Sequence, residues 1–253
     1  MVYEANRRVE TSVRTFAILE HLGDGGQTGV SELATELDMN KGIVHNHLST
    51  LRELGYVQKI NENYQLTPKL LAVGFQARSN APLYQFATNI CSDFANQLDV
   101  SVVLVQQSTT ECTIIDTHNI PESSDLTVGT TMPSGSSLVG LVVRVASPHE
   151  IETNAETGQY DIEQIRSEIE MDGYSSGPIT AELPTKCVAI PIVDDDGECH
   201  GSVGVLLPNS HQEERLQRIT DETVTLRERI ENRFNSGWTG ERSFTTEKHT
   251  WVG

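Results

Sequence analysis

Residues 40–66 carry two hydrophobic periods in immediate succession. Across 40–54 the apolar Val44, Leu48 and Leu51 fall at i, i+4 and i+7, the stripe of a helix with one buried face. Asn40 stands where an N-cap belongs, and Gly55 where a left-handed C-terminal residue belongs. Tyr56-Val57-Gln58-Lys59-Ile60 then alternates as a strand, Asn61-Glu62-Asn63 supplies a turn, and Tyr64-Gln65-Leu66 a return strand. So short a hairpin is not stable by itself, so helix and hairpin must share a core with the segments before them. Two helical patterns precede. One covers 11–22 through Val13, Phe16, Ala17, Leu19 and Leu22, with Thr11 or Ser12 as cap and Gly23-Asp24-Gly25-Gly26 as stop. The other covers 31–37, with Ser31 as cap and Leu33, Ala34 and Leu37 facing inward. Three short helices closed by a hairpin predict a winged helix-turn-helix, whose third helix enters the major groove of duplex DNA.

The outward face of the third helix fits that reading. It carries Lys41, Gly42, His45, Asn46, Ser49 and Arg52, with Glu53 as its only acid. Asparagine can bond an adenine edge, while lysine and arginine suit guanine or phosphate. His45, Asn46 and Ser49 are the candidates for base contacts and Lys41 and Arg52 for base or phosphate. Asn40 is expected to cap the helix, and Lys59, Asn61, Asn63 and Tyr64 make up the wing's contact set. The glycine run at 23–26 lacks the GK[ST] of a phosphate-binding loop and reads as a turn.

Charge speaks against nucleic acid at first sight. The formal net charge is −18, from 36 acidic and 18 basic residues, and a polyanion normally calls for a basic partner surface. The imbalance is not uniform, however. Residues 1–80 hold 8 basic and 9 acidic side chains, and the remainder holds 10 and 27. The proposed reading head is therefore close to neutral. Only five cations are lysines, at 41, 59, 69, 186 and 248. An acid-rich, lysine-poor chain suits a cytosol of very high salt, where carboxylates keep a protein hydrated. With no apolar run long enough to span a bilayer and no apolar stretch behind Arg7 and Arg8, a cytoplasmic location and no membrane partner are expected.

The second half alternates helices and strands. Residues 66–80 and 82–98 read as helices separated at Pro82, the second through Phe86, Ile90, Phe94 and Leu98. Strands are expected at 101–106, 112–116, 186–192 and 201–206, and helices at 161–171 and through Leu216, Ile219, Leu226, Ile230 and Phe234. Cys91, Cys112, Cys187 and Cys199 form no CxxC pair, so buried thiols are expected in place of zinc or disulfides.

In its first half the sequence resembles the IclR family of transcriptional regulators through Ser12-Val13-Arg14, Ile18-Leu19, Ser31-Glu32-Leu33-Ala34, Lys41-Gly42-Ile43-Val44-His45, Gly55-Tyr56-Val57 and Tyr64-Gln65-Leu66. The order and spacing of these fragments are more specific than any one of them, and the similarity runs over about 9–235. The resemblance implies an α+β chain: a winged helix-turn-helix at 1–66, a linker helix at 67–82, a GAF-like effector-binding domain at 83–236 and a separate tail at 237–253. It also implies a homodimer or tetramer on an inverted-repeat operator of double-stranded DNA, with a small-molecule effector. The family's effector positions fall on Cys187, Gly177, Gly204 and Leu206. Relatives that bind small carboxylates carry an acid about ten residues before the cysteine and serines on the next strand. Here Gly177 holds the first place, and Gly204 and Leu206 hold the others. The family's PLHxxAxGK pattern is reduced to the run from Pro133 to Leu141, without histidine or lysine. Such a pocket cannot satisfy a desolvated carboxylate, so a neutral or apolar effector, or none, is expected.

No catalytic constellation or cofactor site is expected. Val139 stands where a GxSxG elbow needs its second glycine, and His45 and His47, two apart on a helix, point to different faces. The acidic runs at 150–156 and 194–198 read as solvated surface. Two other readings stay open: a winged helix that contacts protein, and a thiol sensor acting through Cys187. The tail holds both tryptophans, Trp238 and Trp251, and is expected to pack against a domain or a partner subunit.

Overall fold

The computed structural model describes residues 7–107, 111–122, 124–147, 160–180, 185–207 and 213–237. Two compact units divide the chain between Ser79 and Asn80. The first contains α1 (Glu10–Gly25), β1 (Thr28–Gly29), α2 (Val30–Glu36), α3 (Lys41–Glu53), β2 (Val57–Ile60), β3 (Asn63–Leu66) and most of α4 (Lys69–Asn80). Val44, Leu48 and Leu51 point inward as their spacing requires, and meet Ile18, Leu22, Leu33, Ala34, Val57 and Tyr64 in one core. Strands β2 and β3 form the hairpin, and β1 adds a third strand in the order β1-β3-β2.

Helix α1 departs from the expected pattern. It begins at Glu10 behind Val9, without a side-chain cap, so neither Thr11 nor Ser12 caps it. It runs on through Gly23 and stops only at Gly26, at φ +75°. Its buried residues are Ile18 and Leu22, whereas Val13 and Phe16 face solvent. Helix α2 likewise starts at Val30, which places Ser31 inside it. The wing turns at Asn61-Glu62, with Asn61 at φ +56°, and Asn63 already belongs to β3. Helix α4 begins three residues later than expected, after Pro68.

The second unit contains α5 (Pro82–Leu98), β4 (Ser101–Gln107), β5 (Glu111–His118), β6 (Thr131–Pro133), α6 (Leu138–Ala146), α7 (Ile162–Asp172), β7 (Ser175–Pro178), β8 (Lys186–Val193), β9 (Cys199–Leu206) and α8 (Glu213–Gly237). Its strands form one antiparallel sheet in the order β6-β5-β4-β9-β8-β7. Successive side chains of a strand point to opposite faces, and both faces are covered here. Val102 and Leu104 join α5 and α8 in one core, while Val103 and Val105 join α6 in the other. That is why 102–105 is apolar without alternation. The fold is the expected α+β arrangement of a winged helix followed by a sheet domain. Among the described residues no helix is long and apolar enough to cross a membrane. The acidic run at 150–156 and the tryptophans of the tail lie outside the described residues.

Candidate nucleic-acid interface

The start of α3 is set by its cap. Asn40 Oδ1 accepts the Gly42 N–H at 2.8 Å, and a Cβ on Gly42 would lie 3.1 Å from that oxygen. Asn40 thus spends its carbonyl oxygen on the helix, which fits the expected cap. From there Lys41, His45, Asn46, Ser49 and Arg52 are all exposed. His45, Ser49 and Arg52 lie at i, i+4 and i+7, one stripe of the helix, and the wing comes up beside them. Together with Glu53, Lys59 and Tyr64 they line a groove of about 440 Å³. Residues from two separate segments of the sequence are thereby brought to one surface.

The wing residues do not all present themselves alike. Asn61 and Asn63 are exposed at its tip. Lys59 is held by Glu62 at 3.3 Å and stands 5.8 Å from the Tyr64 ring. Surface pairs of this kind contribute little, so the ammonium is easily transferred to a phosphate. Tyr64 itself is only 5 % exposed and belongs to the core. It forms part of the groove's lining and supports Lys59, a correction to its expected place in the wing's contact set. Glu53, passed over as a site residue, also faces the groove, and repels phosphate there.

His47 points away from this groove, as its offset from His45 requires. Its Nδ1 lies 2.9 Å from Thr15 Oγ1 on α1. The Thr15 hydroxyl already donates to Thr11 O at 2.8 Å, so toward His47 it can only accept, and Nδ1 carries the hydrogen. This bond ties the middle of α3 to α1. Nothing in the local sequence around His47 signals it, because the partners are 32 residues apart.

In the second unit Cys187 pairs with Gly177 on one side and Leu206 on the other, and Ala189 pairs with Gly204. The four expected effector positions therefore cluster on the sheet face that α6 covers. Cys187 is fully buried there. A Cβ on Gly204 would lie 2.7 Å from Val139 Cγ1 and 2.8 Å from Val103 Cγ2. Gly140, kept from the family pattern, sits as tightly, with Ser134 O 2.5 Å from where its Cβ would be. These two glycines let α6 press onto the sheet, and the space over Gly204 is filled by valines.

The thiols are chemically quiet. Burial pushes Cys187 and Cys91 up to about 12 and Cys199 to about 11; burial also raises Cys112. Thiolate is the reactive species, so a sensor acting through Cys187 has no reactive form near neutral pH. Peroxide treatment is expected to leave DNA affinity in a gel shift unchanged; a loss reversed by dithiothreitol would restore the thiol-sensor reading. The turn at 194–197 is also self-contained: Asp194 accepts the N–H groups of Asp196 and Glu198 and meets His200 Nε2 at 2.7 Å. Burial would raise its carboxyl, but these bonds outweigh it and hold it below the usual range. Among the described residues no group of three His, Cys, Asp or Glu is placed to hold a metal.

Comparison with known proteins matches residues 12–60 to the IclR helix-turn-helix domain. Beyond that segment, the transcriptional regulator KdgR of Escherichia coli (strain K12) is 25 % identical over 229 residues, covering 83 % of this chain and 86 % of KdgR. Residues 12–60 thus form a helix-turn-helix domain of the IclR kind. The fold is also similar to that of solved IclR regulators over most of the chain. An IclR transcriptional regulator from Alicyclobacillus acidocaldarius superposes with a TM-score of 0.73 at 19 % identity, covering 90 % of this chain and 100 % of that one. An IclR homolog from Microbacterium hydrocarbonoxydans, solved with 4-hydroxybenzoate, gives 0.70 at 15 % identity, covering 88 % and 98 %. The protein is a DNA-binding transcriptional regulator of the IclR type, and its relatives are regulators, not enzymes.

Proposed function

We propose that this regulator reads an inverted-repeat operator as a homodimer or tetramer, with one α3 in the major groove of each half-site. The observation that carries the reading is the groove in which His45, Ser49 and Arg52 of α3 meet Lys59 of the wing. In it His45, Asn46 and Ser49 bond base edges, Lys41, Arg52 and Lys59 engage bases or phosphates, and Asn61 and Asn63 follow the backbone. The segments 1–66, 67–82 and 83–236 act as reading head, linker and effector domain, with 237–253 as a tail, and the protein works in the cytoplasm without catalysis. Self-association is supported by apolar side chains left in solvent: Val13 and Phe16 at i and i+3 on α1, with Val9 just before it, and Leu71 and Phe75 at i and i+4 on α4. Stripes of this kind mark interaction sites.

The effector is neutral or apolar. The Microbacterium homolog was solved with 4-hydroxybenzoate, a carboxylate, but the face around Cys187, Gly177, Gly204 and Leu206 offers such an acid no cation or hydroxyl at those four positions.

Three cations per head bound the salt response: if all six of a dimer sat on phosphates, log K would fall against log[KCl] with a slope of about −5, and each cation spent on a base edge makes the slope shallower. The experiment is a titration of the full chain with the DNA upstream of its own gene and with random duplex of equal length, from low to molar KCl. Preference for the upstream duplex that persists in molar KCl, on that shallow slope, supports the reading. Equal affinity for both duplexes at every salt concentration removes it in favour of a winged helix that contacts protein.

A further inference from the structure

The C-terminal end of α3 is grasped by the helix that follows the wing. An α-helix ends in carbonyls without partners inside it and in the negative pole of its dipole. In α3 the reversal at Gly55, φ +79°, satisfies two of them: Tyr56 N–H reaches Leu51 O at 2.9 Å and Gly55 N–H reaches Arg52 O at 3.0 Å. The carbonyls of the cap residue Leu54 and of Gly55 just after it are satisfied by residues beyond the wing. Lys69 Nζ donates to Leu54 O at 2.6 Å, and Thr67 Oγ1 donates to Gly55 O at 2.7 Å. The Lys69 ammonium also stands 4.6 Å from the centre of the Tyr56 ring, in cation–π range. Thr67 N–H reaches Tyr56 O at 2.9 Å, so the junction is bonded from both sides.

We propose that Lys69 is a positioning residue that locks the end of the recognition helix to the first turn of α4, so that α3 and α4 move as one piece. The proposal rests on the DNA-reading role given to α3 above. The core side chains Val44, Leu48 and Leu51 resist lifting of α3, but apolar contact is non-directional, and the directed His47–Thr15 bond holds α3 to α1 only at its middle, so its C-terminal end stays free to swing. A directed bond to the carbonyl of the cap residue Leu54 fixes that end. Base readout needs donor and acceptor within a few tenths of an ångström of their best separation, so the fixed end sets where Asn46 and Ser49 point. Lys69 opens α4, which leads out of the first unit at Ser79. Any displacement of α4 relative to the winged helix must carry the end of α3 with it or break this bond. Lys69 is therefore where a signal arriving along α4 meets the reading head.

The test uses the full chain with Lys69→Met, which keeps the stem and removes the cation, and Lys69→Arg, which restores cation and donor. Titrations on upstream and random duplexes over a range of KCl should show Lys69→Met weakening the upstream complex roughly tenfold, as for loss of one charge-assisted bond. Random-duplex affinity and salt slope should stay at wild-type values, and Lys69→Arg should recover most of the loss. Equal weakening on both duplexes with a slope smaller by about one makes Lys69 a phosphate contact and overturns the proposal, as does no change on either. A second readout needs no DNA. In the wild type the Lys69 Hε protons should be shifted upfield by the Tyr56 ring and lose that shift in Tyr56→Leu, and amide exchange at the end of α3 should accelerate in Lys69→Met. Ordinary Hε shifts and unchanged exchange overturn the lock itself. If those signatures are present while the wild type shows no sequence preference, the DNA reading fails and the lock stands.

Discussion

Replacing Leu48 with alanine is expected to unfold the first unit while the second stays folded. Leu48 is fully buried in a core of nine side chains that α1, α2, α3 and the wing share. Removing its isopropyl group leaves a cavity that so small a unit can close only by moving α3, at a cost of about 2–5 kcal/mol. Small domains hold little stability in reserve, so the loss consumes most of it. Calorimetry of the full chain should show the transition of the first unit lowered or abolished and that of the sheet unit retained, and upstream DNA should no longer shift. Retention of both transitions and of DNA binding would mean that α3 is not held by this core.

Replacing Asn46 with alanine should do the opposite, sparing stability and removing discrimination. Asn46 is exposed on α3, and among the described residues its side-chain amide makes no hydrogen bond; only its backbone carbonyl is used, by Thr50 Oγ1 at 3.1 Å. Its amide therefore has both donor and acceptor available for a base edge. Loss of such a bidentate contact lowers the preference for operator over random duplex by ~1–3 kcal/mol, with melting temperature unchanged. Equal weakening on both duplexes would reduce Asn46 to a backbone contact.

Much of the reading head could be seen in the sequence because its signals are local. The stripe Val44, Leu48, Leu51, the cap at Asn40 and the stop at Gly55 all lie within one helix length, and each holds. What escaped depends on distant partners or on surfaces that imitate cores. Val13 and Phe16 recur at helical spacing as core residues do, yet they are exposed, because the period does not say whether anything covers a stripe. Strand β1 is two residues long and has no period of its own. Helix α6 is missing from the sequence reading because it is apolar all round: seven of its nine residues are buried, which erases the amphipathic stripe that betrays a helix. The bond between Lys69 and Leu54 exists only once the wing has folded back, and Tyr64 alternates like a wing contact while its ring turns inward.

In the second unit, register joined what spacing had only suggested. Gly177, Cys187 and Leu206 stand side by side on three strands, but that α6 would fill the space above Gly204 follows from packing between segments more than sixty residues apart.

The net charge of −18 places its weight on the second unit and leaves the head nearly neutral, so recognition must lean on base contacts and shape more than on counterion release. Selection of the full chain against a pool of random-sequence duplexes in molar KCl tests this most directly. The account predicts enrichment of an inverted repeat whose half-sites lie about one helical turn apart, with Asn46→Ala losing the preference at one position in each half. A pool that stays random after repeated rounds, although the chain is folded and retains bulk DNA, would contradict it.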